Sequence, residues 1–223
     1  SPPRFVSLDI LTPGPRVKHN VYDVEFADAV LLSHRADHTR SFDYQNIVVK
    51  IDKPFVYWKF AERRGSRVAH NYGTGGRDYA GFFSPRCEFE FEGPVVNDEL
   101  NRCVEFEADN RCKVDTKYSK ELCPHDVLAH FSLEGWCKVT GSEGTNRVVM
   151  MTGRCALMAS REETWAFVVY EEGIEVTLVG PPIEYTTFHH IVGTYDGCLA
   201  SLYVDSVLVK QIELRPEIAA RTA

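Results

Sequence analysis

Alternation with a period of two residues runs through most of this chain, and helical periodicity is scarce. Ile47, Val49 and Ile51 alternate with Val48, Lys50 and Asp52, and Val56, Trp58 and Phe60 alternate with Phe55, Tyr57 and Lys59. Thr164 to Tyr170 is a short, largely apolar run rich in Val and aromatics. Between Gly173 and Val179, the residues Ile174, Val176 and Leu178 share one face. Leu202, Tyr203 and Val204 lead into an Asp205-Ser206 turn, after which Val207, Leu208 and Val209 resume. Successive side chains of a strand point to opposite faces, so such patterning in β-branched and aromatic residues predicts strands. Clusters such as Gly73-Thr-Gly-Gly76, Gly141-Ser-Glu-Gly144 and Gly180-Pro-Pro182 punctuate the runs. Short strands spaced by turn clusters predict a sandwich or barrel.

With 223 residues the chain is long enough for one large all-β domain, or for one domain and an extension. A start at Ser1 is expected of a trimmed product or of a segment of something longer. Residues 1–53 hold three candidate strands: Phe5–Leu11, Val21–Leu32 and Ile47–Ile51. About 50 residues is marginal for an independent core, so this part is read as an N-terminal β extension that pairs with the sandwich edge or ends a preceding domain. The sandwich is expected over residues 54–214, with a C-terminal tail at 215–223. The net charge of −7 argues against nucleic acid, because duplex binding needs a basic face and Arg63, Arg64 and Arg67 form only a short local cluster. No run reaches the roughly 18 apolar residues of a membrane-spanning helix.

The stretch Phe188-His-His-Ile-Val-Gly-Thr-Tyr-Asp-Gly197, followed by Leu202-Tyr-Val-Asp205, resembles the late hairpin of laminin-G-like domains of the concanavalin-A-like lectin/glucanase superfamily. Weaker similarities fall in the expected order. They are Phe55-Val-Tyr-Trp-Lys-Phe60 as the opening strand, Gly73–Gly81 as the following loop, and Cys103-Val-Glu-Phe-Glu107 and Phe131-Ser-Leu-Glu-Gly-Trp136 as core strands. The resemblance implies a two-sheet antiparallel jelly-roll sandwich. One departure stands out: Ser206 occupies the Gly position of the usual D-G turn, so a looser or differently formed turn is expected there.

His189 and His190 fall on opposite strand faces and cannot both face one metal; one is expected to hydrogen-bond across the sandwich and the other to lie at the surface. In Glu88-Phe-Glu-Phe-Glu92 the carboxylates Glu88, Glu90 and Glu92 would share one strand face. Glucanases on this scaffold use an E-x-D-x-E strand, so Glu88 and Glu92 are the candidate pair for a glycoside hydrolase. The central Glu90 and the position after the Gly-rich loop favour a solvated acidic edge strand instead. His34-Arg-Ala-Asp-His38 has a metal-pair spacing but reads as a polar loop. The resemblance also allows calcium at the sandwich rim, where Asp109, Asn110 and Asp115 form the best placed acidic loop. Trp58, Trp136 and Trp165 could stack on sugar rings, though all three sit in apolar strands and at least two are expected in the core.

The cysteines number seven: Cys87, Cys103, Cys112, Cys123, Cys137, Cys155 and Cys198. The odd count and the lack of an N-x-[ST] sequon tip the balance to an intracellular setting, while so many cysteines lean towards an oxidising one. The expected function is a non-catalytic binding module that docks a protein partner within a larger assembly. The alternatives are a lectin-like glycan-binding domain, with or without calcium, and a glucanase-like hydrolase.

Overall fold

The computed structural model describes residues 4–11, 48–94, 102–106, 114–116, 130–141, 144–152, 155–171 and 174–214; for 4–11, 114–115, 171 and 174 only the backbone path is described. Among the described residues fifteen strands follow one another. The early ones are β1 (Arg4–Leu11), β2 (Val56–Trp58), β3 (Val68–Ala69), β4 (Gly81–Phe83), β5 (Glu88–Glu92), β6 (Arg102–Glu105) and β7 (Val114–Thr116). The later ones are longer: β8 (Phe131–Lys138), β9 (Arg147–Thr152), β10 (Cys155–Ala159), β11 (Thr164–Glu171), β12 (Ile174–Pro182), β13 (Phe188–Tyr195), β14 (Leu199–Val204) and β15 (Val207–Glu213).

The strands form three antiparallel sheets. The largest runs β15-β14-β13-β8-β1-β6-β5, with β2 also paired to β1; a second runs β12-β11-β10-β9; a third runs β3-β4-β7. The all-β sandwich expected from the alternation is therefore present. The apolar sides of the two larger sheets face each other. Leu133, Cys137, Ile191, Leu202 and Val204 come from one sheet, and Leu157, Trp165, Phe167 and Leu178 from the other. Burial of this kind stabilises by about 25 cal/mol per Å² of apolar surface.

The N-terminal strand β1 neither pairs at the sandwich edge nor ends a preceding domain: it lies within the largest sheet, between β8 and β6. Two later segments also depart from the sequence reading. Residues around Ile47–Ile51 were expected as a strand, but Val48–Asp52 forms a π-helical turn closed by Lys53 N–H donating to the Val48 carbonyl at 3.0 Å. Lys53 follows at φ +50, which ends the turn before Pro54. The second departure is the β14–β15 turn. Asp205 and Ser206 have φ of +50 and +68, so both central residues are left-handed, as a two-residue type I′ hairpin requires. The turn is as tight as a D-G turn, and Ser206 carries the strain. Replacing Ser206 with Gly should raise stability by up to about 1 kcal/mol, read as a higher denaturant midpoint at unchanged slope.

The Gly-rich loop has a local cause. The Asn71 Oδ1 accepts from the backbone of Tyr57 and Gly73, and its Nδ2 donates to the carbonyls of Phe55 and Gly76. One amide side chain thus fastens the loop to β2, and the Trp58 indole N–H donates to the Tyr79 carbonyl beside it.

Candidate functional site

Strand β13 presents one histidine to each face. His189 points inward and is buried, and its Nδ1–H donates to Asp205 Oδ2 at 2.7 Å. Asp205 Oδ1 accepts the His190 backbone N–H at 2.9 Å, so the type I′ turn is latched to β13 by both carboxylate oxygens. The His189 ring lies 5.7 Å from that of Trp165 across the sandwich. Cys137 sits directly opposite His189 in the ladder with β8. An Asp–His–Cys row therefore exists, but burial, with Asp205 adding a like-charge contribution, pushes the Cys137 thiol well above its usual range. The thiol stays protonated and is enclosed by core side chains.

His190 points outward. Its Nε2 hydrogen-bonds Glu134 Oε1 at 2.6 Å, and its ring stacks on Trp136 with centroids 4.8 Å apart and planes at 24°. Antiparallel pairing explains the cluster: His190 faces Trp136 across the ladder, and Glu134 is the next outward residue of β8. One step along, Lys138 Nζ lies 4.6 Å over the Phe188 ring, again a directly paired position. The face is thus a half-buried aromatic pair with a carboxylate–imidazole dyad and a lysine. The two histidines divide between inside and surface as expected, but the His189 hydrogen bond goes to the β14–β15 turn of its own sheet and not across the sandwich.

Of the three tryptophans, Trp58 and Trp165 are in the core and Trp136 is the one on the outward face. The carboxylates of β5 are all exposed, and β5 is an edge strand. They do not share one face. Glu90 has φ +70, and the pairing with β6 slips by one residue between Glu88 and Phe91. Glu88 therefore pairs with Glu105, and Glu92 with Arg102, on opposite faces of the sheet. Asp109 and Asn110 lie outside the described residues; Asp115 pairs through its backbone with Phe82, and its side chain is not described. His34 and His38 also lie outside them. Among the described residues no group of three His, Cys, Asp or Glu side chains converges, no disulfide joins two cysteines, and no helix is long and apolar enough to cross a membrane.

Sequence reasoning missed one surface. Register places Val148, Met158, Ala166 and Val179 in one row across the outward face of the four-stranded sheet, and Met151, Ala156, Val168 and Thr177 in a second. None is charged. Met151 is 70% exposed, Val179 55% and Val148 44%, while Ala156, Ala166 and Val168 form a buried floor between them. The available signal was the failure of alternation in Thr164–Tyr170: a strand apolar on both faces in an antiparallel sheet has no solvated side.

Two antiparallel sheets packed face to face, with a latched late hairpin, define a β-sandwich domain. A model of the laminin-G type, described as concanavalin A-like lectin/glucanases superfamily, matches residues 115–223. This stretch is similar to that superfamily. It takes in Phe131–Trp136 and the Phe188–Asp205 hairpin, whereas Phe55–Phe60, Gly73–Gly81 and Cys103–Glu107 precede it. Neither a curated protein nor a solved structure matches the chain.

Proposed function

We propose that the chain is a non-catalytic binding module that docks a protein partner through the outward face of β9–β12. The carrying observation is the pair of uncharged rows, with Met151, Val179 and Val148 raised around the small residues Ala156 and Ala166. Contiguous exposed apolar surface rimmed by polar residues marks protein interaction sites. Flexible Met side chains adapt to a partner's relief. Desolvating such a face gives the apolar core that a protein interface needs.

Two substitutions that leave the core alone test this. Met151→Asp with Val179→Lys should leave the melting temperature within about 2 °C, because both side chains point to solvent. A photo-crosslinker at position 158 should give a discrete protein adduct in a native extract, and the double variant should abolish it. An adduct undiminished in the double variant would sink the reading.

A glycan-binding reading has its own supporting observation, the outward Trp136 beside the Glu134–His190 dyad. Aromatic faces stack on sugar rings, and a carboxylate and imidazole can take hydroxyl hydrogen bonds. A glycan array with wild type and Trp136→Ala separates the two readings. Retention of one sugar class by wild type, and its loss in the variant, would favour the glycan.

A further inference from the structure

Residues 53–86 carry seven Lys or Arg and two Asp or Glu, in a chain whose net charge is −7. The fold concentrates part of that excess. Arg63 and Arg64 occupy a tight turn closed by Ser66 N–H donating to the Arg63 carbonyl at 3.0 Å, with Gly65 at φ +84, where a side chain would be strained. The Ser66 hydroxyl donates to the Val68 carbonyl and accepts its N–H, and Phe83 N–H donates to the Arg67 carbonyl at 3.0 Å. Ser66 therefore stands level with Ser84. Arg64 lies two residues beyond on one chain and Arg86 two residues beyond on the other. Arg86 is itself in a turn, closed by Cys87 N–H on the Ser84 carbonyl.

Arg63, Arg64, Arg67 and Arg86 thus gather at one end of the β3–β4 ladder, and all four are exposed. Among the described residues no carboxylate pairs with Arg63, Arg64 or Arg67. The nearby acid Glu62 does not neutralise them. Its Oε1 accepts the His70 N–H, and burial raises its pKa. Phe82, paired with Val68 in the same ladder, is 57% exposed.

We infer that this end of β3–β4 is a docking site for a short acidic segment of a protein partner. Guanidinium groups match carboxylates as bidentate forks, and holding several on hydrogen-bonded turns lowers the ordering cost of each contact. Exposed Phe82 offers an apolar contact that a peptide side chain can use and a sulfated sugar lacks. The site has a length limit. Arg86 is followed by the exposed Glu88, Glu90 and Glu92 of β5, so a long polyanion would run onto like charge. This surface does not involve the outward face of β9–β12, and either can fail without the other.

The test uses the full chain and a fluorescein-labelled short polyglutamate peptide, read by anisotropy at low and at physiological salt. Binding should weaken with salt. Arg63→Glu, Arg64→Glu and Arg67→Glu together should weaken it by about tenfold or more, since three attractive pairs are lost and reversal adds repulsion. Lys50→Glu, Arg161→Glu and Lys210→Glu together make the same charge change elsewhere and should leave affinity within about twofold. Circular dichroism checks that both variants fold. No peptide binding, or an equal loss in both triple variants, overturns the site. Capture of heparin or of anionic vesicles without the peptide also overturns it, because the ligand would then not be an acidic protein segment.

Discussion

Arg147→Met should unfold this protein at a markedly lower denaturant concentration, with a loss of about 3–5 kcal/mol. The Arg147 side chain is only 4% exposed, at the inward start of β9 opposite Ala159. Its guanidinium meets Glu163 Oε2 at 2.8 Å and also donates to the Gly141 carbonyl. Tyr185 donates its hydroxyl to the same Glu163 oxygen. One cation thus ties together the approach to β9, the β10–β11 turn and the loop before β13. Glu163 is fixed independently by its backbone, since its carbonyl accepts Ile183 N–H at 2.8 Å and its φ is +60. Deleting the guanidinium leaves a partly buried carboxylate without its counter-charge, and that desolvated charge is the larger part of the effect. Arg147→Met combined with Glu163→Gln should recover part of the loss. Chemical denaturation of the two single variants and the double variant measures the coupling; strictly additive losses would show that the pair does not interact.

Gly193→Ala should destabilise by about 1–3 kcal/mol and Gly193→Val by more, because there is no room for a side chain. A Cβ at position 193 would lie 2.5 Å from the Phe167 ring, which comes from the opposite sheet. The backbone cannot retreat: β13 is paired on both sides, with Gly193 opposite Leu133 of β8 and Leu202 of β14. Phe167 is fully buried and sits near Phe131, whose own ring packs on Tyr195. Shrinking the ring should therefore rescue the variant. Gly193→Ala with Phe167→Leu should lose less than the sum of the two single changes, read by thermal or urea unfolding. A fully additive double variant would mean that the clash is relieved elsewhere. The Gly of the G-T-Y-D-G stretch is thus explained by the packing between sheets.

Strands that alternate strictly were legible in the residues alone. In β13, Phe188, His190, Val192 and Thr194 fall on one face and His189, Ile191, Gly193 and Tyr195 on the other, because side-chain direction is a local property of an extended chain. The late hairpin was legible for the same reason, since Asp196 and Gly197 announce its turn. The separation of His189 from His190 followed from their being neighbours.

Properties that depend on register were not legible. Glu88, Glu90 and Glu92 alternate in sequence, yet one extra residue at Glu90 puts Glu88 and Glu92 on opposite faces, and a bulge is decided by how a strand meets its neighbour. The stretch around Val48 alternates as a strand would, but it closes as a helical turn because Lys53 reaches back to the Val48 carbonyl. The Glu134–His190–Trp136 cluster joins residues more than fifty positions apart through the β8–β13 pairing. The arginine end is assembled by two turns that the β3–β4 ladder sets side by side.

The sequence by itself determined the all-β class, the late hairpin and which side chains of each regular strand could share a face. Those features rest on interactions between residues near one another along the chain. Only the tertiary structure decided which strands pair, at what offset, and so which charges and apolar rows meet at the surface. The physical reason is that a shift of one residue in register costs little locally but exchanges the two faces of a strand, and only packing against the opposite sheet selects between them.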